Sequence, residues 1–294
     1  MNILIAGSTG LIGAALTKRL TSAGHTVKGL RRQRVPGEPF WDITTGTVDL
    51  GDFSKVDAVI NLAGENIAGG RWTSAKKQAI LSSRVEGTQC LASFFSKQTE
   101  KPGVFACASA IGFYGNRGDE SLSEESPVGT DFLSDVCEQW EDATKPLSDA
   151  GIRVANCRIG VVLSTDGGAL KQMLLPFKMG VGGIVGSGRQ YMSWTHIDDI
   201  TGAFEYILTN DQLSGPVNVT APTPVTNREF TKALGRALHR PTLFPLPAFM
   251  VKLLFGEMGD ELLLSSTRVT SSKLSGSGYR FAHPEIGDAL SALL

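Results

Sequence analysis

The chain has 294 residues, long for one small domain and short for two large ones, so one α/β domain with an added lobe is expected. Its net charge is −1, with 28 Lys and Arg against 29 Asp and Glu, which argues against nucleic acid or an anionic membrane as the main partner. No apolar run approaches the roughly 18 residues of a membrane span, no signal peptide precedes the first strand-like run, and the four cysteines lack a CxxC spacing. A cytoplasmic setting with reduced thiols is therefore expected, and the scattered histidines predict no metal site.

Residues 2–7 (NILIAG) read as a strand, and 11–23 as a helix with Leu11, Ile12, Leu16 and Leu20 on one side. HTVKGL (25–30) is the second strand. DAVINLAG (57–64) is nearly continuous in apolar residues, as in a strand covered on both faces. A helix over 74–97 follows, then strands over 103–110 and 152–163. This alternation predicts an α/β, Rossmann-type doubly wound parallel sheet. After residue 164 the chain turns loop-rich (DGGAL, GVGGIVGSGRQ), returns to a strand at 215–220, and forms a helix capped at Thr226 or Asn227. An apolar helix, PAFMVKLLFGEM, lies in the tail. We expect a nucleotide-binding domain over 1–164 and 195–232, and a small substrate or lid lobe over 165–194 and 233–294.

Gly7, Gly10 and Gly13 form a GxxGxxG pattern between the first strand and the first helix. Gly7 permits a sharp turn, Gly10 lets main chain approach a pyrophosphate, and Gly13 lets helix and sheet pack closely. The helix start adds N–H donors and the positive dipole end. Thr9, Leu11 and Ile12 belong to the same turn, and Leu62, Ala63, Gly64 and Arg84 are assigned to the cofactor walls. The second strand ends in Arg31 and Arg32 rather than an acidic residue, which suits the 2′-phosphate of NADP(H). Asp42 is a candidate for the adenine edge.

The stretches AGSTGLIG, NLAGENI followed by RW, SSRVEGT, SAIGFYG, RIGVVL with DGGAL, GVGGIVGSGRQ and SWTHIDD span most of the chain. Through them it resembles the extended short-chain dehydrogenase/reductases, and within these an atypical NAD-dependent epimerase/dehydratase-like group of the YfcH type. The resemblance makes the segment from about 241 to 290 family-specific. It implies a Tyr-x-x-x-Lys helix, in which the lysine lowers the phenol pKa so that tyrosine exchanges a proton while nicotinamide exchanges a hydride. Alignment on Glu141 places Leu133 and Cys137 where that tyrosine and lysine would stand, and Arg84 occupies the family's asparagine position before V-x-G-T. Cys137, among Asp135, Glu138 and Glu141, is not expected to be a nucleophile.

Replacement acid–base candidates are Tyr114, Ser109 (five residues before Tyr114 rather than four) and Glu65. Arg71, Trp72, Arg189 and Gln190 are substrate candidates, whereas His196 and Asp198 are read as loop braces. The glycines of GVGGIVGSG suggest a mobile lid. Two functions follow: an NADP(H)-dependent oxidoreductase or epimerase acting on a small molecule through a non-standard acid–base group, or an inactive NADP(H)-binding regulator. The resemblance also implies a homodimer through helices over 74–97 and 132–149.

Overall fold

The computed structural model describes residues 1–53 and 55–294. From the amino terminus the elements are β1 (Asn2–Ala6), α1 (Leu11–Ser22), β2 (Thr26–Leu30), β3 (Phe40–Asp42), β4 (Thr47–Asp49), β5 (Ala58–Asn61), α2 (Ser74–Ser96) and β6 (Val104–Ala110). A 3₁₀ turn (Ile111–Tyr114) leads to β7 (Ser121–Leu122), α3 (Phe132–Asp142), α4 (Lys145–Asp149), β8 (Arg153–Ile159), β9 (Val161–Leu163) and α5 (Gly168–Lys178). Next come β10 (Tyr191–Met192), β11 (Trp194–His196), α6 (Ile197–Thr209), β12 (Gly215–Val219), β13 (Val225–Thr226) and α7 (Asn227–Ala237). The tail holds α8 (Ala248–Phe255), α9 (Glu257–Gly259), a π-helical turn (Asp260–Leu264), β14 (Arg268–Val269), α10 (Ser272–Gly276) and α11 (Ile286–Leu293).

Six strands form a parallel sheet in the order β12-β8-β6-β5-β1-β2. The apolar run of β1 explains its central place. Ile3 and Ile5 pack with Leu16 and Leu20 of α1 and Phe204 of α6. Leu4 and Ala6, on the other face, pack with Leu91 and Phe95 of α2 and Trp140 of α3. Both sides of the strand are buried, so alternation between apolar and polar residues is lost. Burying each such large side chain contributes roughly 1.5–3 kcal/mol.

Two elements differ from the sequence reading. The strand expected over 152–163 is two, because at Gly160 the chain leaves the main sheet and β9 pairs with β11 instead. A Cβ on Gly160 would lie 2.8 Å from the Ser193 carbonyl oxygen, so this crossing demands glycine. The helix expected over 132–149 is also two, broken after α3, with Pro146 in the first turn of α4.

The division of the chain proposed from sequence is bridged by packing. Leu274 of α10 enters the core beside β1 and α6, and Ala289 and Leu290 of α11 pack with Trp194 and Phe230. α7 begins with the expected Thr226 cap, completed by Glu229 as a capping box. Among the described residues no helix is long and apolar enough to cross a membrane.

Candidate functional site

In a doubly wound sheet of this order a ligand crevice is expected at the carboxyl ends of β1, β2, β5 and β6, where parallel strands hand over to helices. Gly7 has φ +81°, and a Cβ there would sit 2.8 Å from the main-chain carbon of Leu62. Gly13 is closer still, since its Cβ would lie 2.2 Å from the Gly7 carbonyl oxygen. These two glycines fold the β1–α1 turn tightly against the end of β5. No side chain caps α1, whose N-cap is Gly10, so its first turn presents main-chain donors and the positive dipole end to the crevice. Thr9 and Gly10 are exposed, and Leu11 and Ile12 are half-buried beside them.

Arg31 and Arg32 are both exposed just beyond β2. Arg31 has only a loose neighbour, a Glu38 oxygen at 3.8 Å. Asp42 does not offer a free carboxylate. It caps the β3–β4 turn, accepting from the Thr44 N–H at 2.9 Å, and the Thr45 hydroxyl and Thr44 N–H hold its pKa below the usual range. These contacts engage Oδ1 from within the turn and leave further acceptor capacity on the carboxylate. Across the crevice the Arg84 guanidinium packs 3.2–3.4 Å from the position of a Gly64 Cβ and 5.1 Å from the Trp140 ring centre. It donates to the Ile80 carbonyl at 3.0 Å, and burial lowers its pKa.

The two principal acid–base candidates are not in the crevice. Tyr114 is fully buried. Its hydroxyl donates to Asn218 Oδ1 at 2.7 Å and accepts from Arg158 Nη1 at 3.0 Å. Burial raises its pKa against the opposing pull of Arg158. The 3₁₀ turn after β6 directs the ring toward Arg158 of β8 and Asn218 of β12. Ser109, 2% exposed, donates to Glu141 Oε1 at 2.7 Å. Glu141 in turn holds Arg158 through two contacts of 2.8 Å, a fork-to-fork pair almost wholly out of solvent. Tyr114 and Ser109 are therefore members of one buried polar network.

The other candidates divide. Glu65 pairs with Lys76 at 2.6 Å, and this lysine lowers its pKa, so at neutral pH it can accept a proton but not donate one. Trp72 meets Phe132, the first residue of α3, edge to face at 5.3 Å and donates from its indole to the Ile67 carbonyl. Arg71 donates to the Leu253 carbonyl of α8 at 2.9 Å, tying the loop after β5 to the tail. Gln190 is 9% exposed and donates to the carbonyls of Val185 and Leu263, bracing the loop to the tail. Arg189 remains exposed. His196 caps α6, its Nδ1 accepting from the Asp198 N–H at 3.1 Å, which uses the lone pair a metal would need from that nitrogen.

Leu133 and Cys137 both face the 3₁₀ turn: a Cβ on Gly112 would lie 3.2 Å from Leu133 Cβ and 3.9 Å from Cys137 Sγ. Burial pushes the Cys137 thiol up to about 12, so it stays protonated. One carboxyl at this end of α3 escaped the sequence reading. Glu261, on the π-helical turn, accepts from the main-chain N–H of Leu133 at 3.1 Å. Burial and the neighbouring Asp131 push its pKa up to about 7. No local pattern marks it, because the contact joins residues 128 positions apart.

Residues 3–220 match the NAD dependent epimerase/dehydratase family, and residues 246–293 match a domain of unknown function, DUF1731. The chain belongs to the NAD dependent epimerase/dehydratase family. It is 45% identical over 293 residues to the epimerase family protein Mb2239 of Mycobacterium bovis, covering 98% of this chain and 96% of that one. It is 36% identical to the human epimerase family protein SDR39U1, with both chains covered fully. A crystal structure of human SDR39U1 with NADPH superposes with a TM-score of 0.93, covering 100% of this chain and 99% of that one. The fold is that of an extended short-chain dehydrogenase/reductase.

Proposed function

We propose that the chain binds NADP(H) across the β1–α1 turn and serves as an oxidoreductase or epimerase-like enzyme on a small carbonyl or hydroxyl compound. The observation that carries this reading is the pairing of an open, uncapped helix start at Gly10 with two exposed arginines, Arg31 and Arg32, beyond β2. The first suits a pyrophosphate and the second a 2′-phosphate. Human SDR39U1, so similar in sequence and fold, was crystallised with NADPH.

Bound NADPH supplies a hydride. The residues of this chain would orient it: the main-chain donors of Leu11 and Ile12 toward the diphosphate, Arg31 and Arg32 toward the ribose phosphate, and Gly64 with Arg84 along the wall. Arg84 places a cation near the position left without its lysine at Cys137. The test is a fluorescence titration with NADPH and NADH. Wild type should prefer NADPH, and R31A/R32A should reduce that preference by about tenfold or more, since each charge-assisted contact contributes roughly 1.5–3 kcal/mol. An unchanged preference would remove the arginines from the reading.

A second reading, an NADP(H)-binding regulator without turnover, draws on Leu133 and Cys137 and on the burial of Tyr114. It expects tight cofactor binding and no oxidation of NADPH with any carbonyl compound.

A further inference from the structure

We propose that Glu261, delivered by the carboxyl-terminal segment, is the proton donor and acceptor of this site and stands in for the tyrosine replaced by Leu133. The inference rests on the NADP(H) reading above and names the group that reading lacks.

The geometry begins at the start of α3. Leu133, in its first turn, sits against Gly112 at the carboxyl end of β6. Glu261 reaches the same point from the other side, its Oε2 accepting from the Leu133 N–H at 3.1 Å. A carboxyl is thus held by main chain at the residue that lost its phenol. Its support is built from several elements. Gln190 donates to the Leu263 carbonyl at 3.1 Å, and Arg71 donates to the Leu253 carbonyl at 2.9 Å. Lys77 of α2 pairs with Glu257 at 2.7 Å and lies over the Phe132 ring at 4.3 Å. The turn that carries Glu261 is π-helical, a rare form that is frequent at functional sites.

The charged groups around Glu261 favour its protonated form. Half-burial raises its pKa most, and the acidic neighbours Asp131, the N-cap of α3, and Glu257 of α9 raise it further. The opposing influences are the N–H groups of Leu133 and Phe132. On its own element Asp260 is engaged by Lys252 at 3.2 Å, and Lys77 is engaged by Glu257. Among the described residues no cation forms an ion pair with Glu261. A carboxyl titrating near neutrality is suited to both donate and accept a proton.

In the reductive direction, a carbonyl carbon accepts the hydride of NADPH and its oxygen takes the Glu261 proton. The C=O π bond would give way to new C–H and O–H bonds with the C–O single bond kept, NADPH would be left as NADP⁺, and the Glu261 carboxylate would regain a proton from water. The reverse sequence oxidises an alcohol, with Glu261 accepting the hydroxyl proton.

The test exploits the charge difference between NADP⁺, whose ring is cationic, and NADPH, whose ring is neutral. Glu261 is titrated by carboxyl ¹³C NMR in the full chain with each coenzyme, its resonance assigned by loss in E261Q, or in E261D should the glutamine variant misfold. A carboxyl poised over the nicotinamide should titrate lower with NADP⁺ than with NADPH by about half a unit or more. Identical midpoints, with both coenzymes bound by calorimetry, would reduce Glu261 to a helix cap and overturn the proposal alone. Absence of any binding heat or coenzyme-induced change would defeat the cofactor reading and this proposal together.

Discussion

The two ends of the crevice contrast. At the β1–α1 turn the glycines and the uncapped helix start are set by local sequence, and Thr9 and Gly10 face outward. At the β6–α3 end the usual proton-transfer pair is gone, and the polar residues nearby have turned inward. Tyr114, Ser109, Glu141, Arg158 and Asn218 satisfy one another beneath the sheet end. The difference teaches that polar residues beside a cofactor crevice are not thereby its chemistry. A hydroxyl that is buried and doubly hydrogen-bonded acts on stability first.

This contrast can be broken from either side. The largest effect is expected at the inward end. E141Q leaves the buried Arg158 guanidinium without its anionic partner and should cost about 3–5 kcal/mol in urea unfolding, with coenzyme affinity of the surviving folded protein unchanged. A variant as stable as wild type would mean that the pair is not the anchor described. Next is G13A, where the added Cβ meets the Gly7 carbonyl oxygen. It should lose about 1–3 kcal/mol to overpacking and, because the turn must open, most of its NADPH affinity. Loss of stability without loss of affinity would separate the turn from the coenzyme. The smallest is Y114F. Removing a buried hydroxyl between Asn218 and Arg158 should cost about 1–2 kcal/mol and leave any turnover near wild type. A drop in turnover of tenfold or more with stability intact would return Tyr114 to the chemistry.

Much of the fold was legible in sequence because its signals are local. The glycine turn occupies seven consecutive positions from Gly7 to Gly13, the buried strands read as apolar runs, and the Thr226 cap with Glu229 is spaced as capping requires. The splits at Gly160 and after α3 were hidden, since a glycine or proline in a strand or helix pattern does not reveal which neighbour the chain must cross. The long-range contacts around the site were not legible. Tyr114 meets Asn218 across 104 positions and Glu261 meets Leu133 across 128, so the burial of one and the placement of the other are properties of the assembled chain. The contacts of Asp42 are local by contrast: Thr44 and Thr45, its immediate neighbours, hold its carboxylate within the β3–β4 turn.

The most direct test of the contrast is a crystal structure of the protein with NADPH bound. It should show the diphosphate against the main chain of Gly10, Leu11 and Ile12, the 2′-phosphate within hydrogen-bond reach of Arg31 or Arg32, and the Tyr114 hydroxyl still on Asn218. A coenzyme lying elsewhere, or a Tyr114 ring turned out to the nicotinamide, would contradict it.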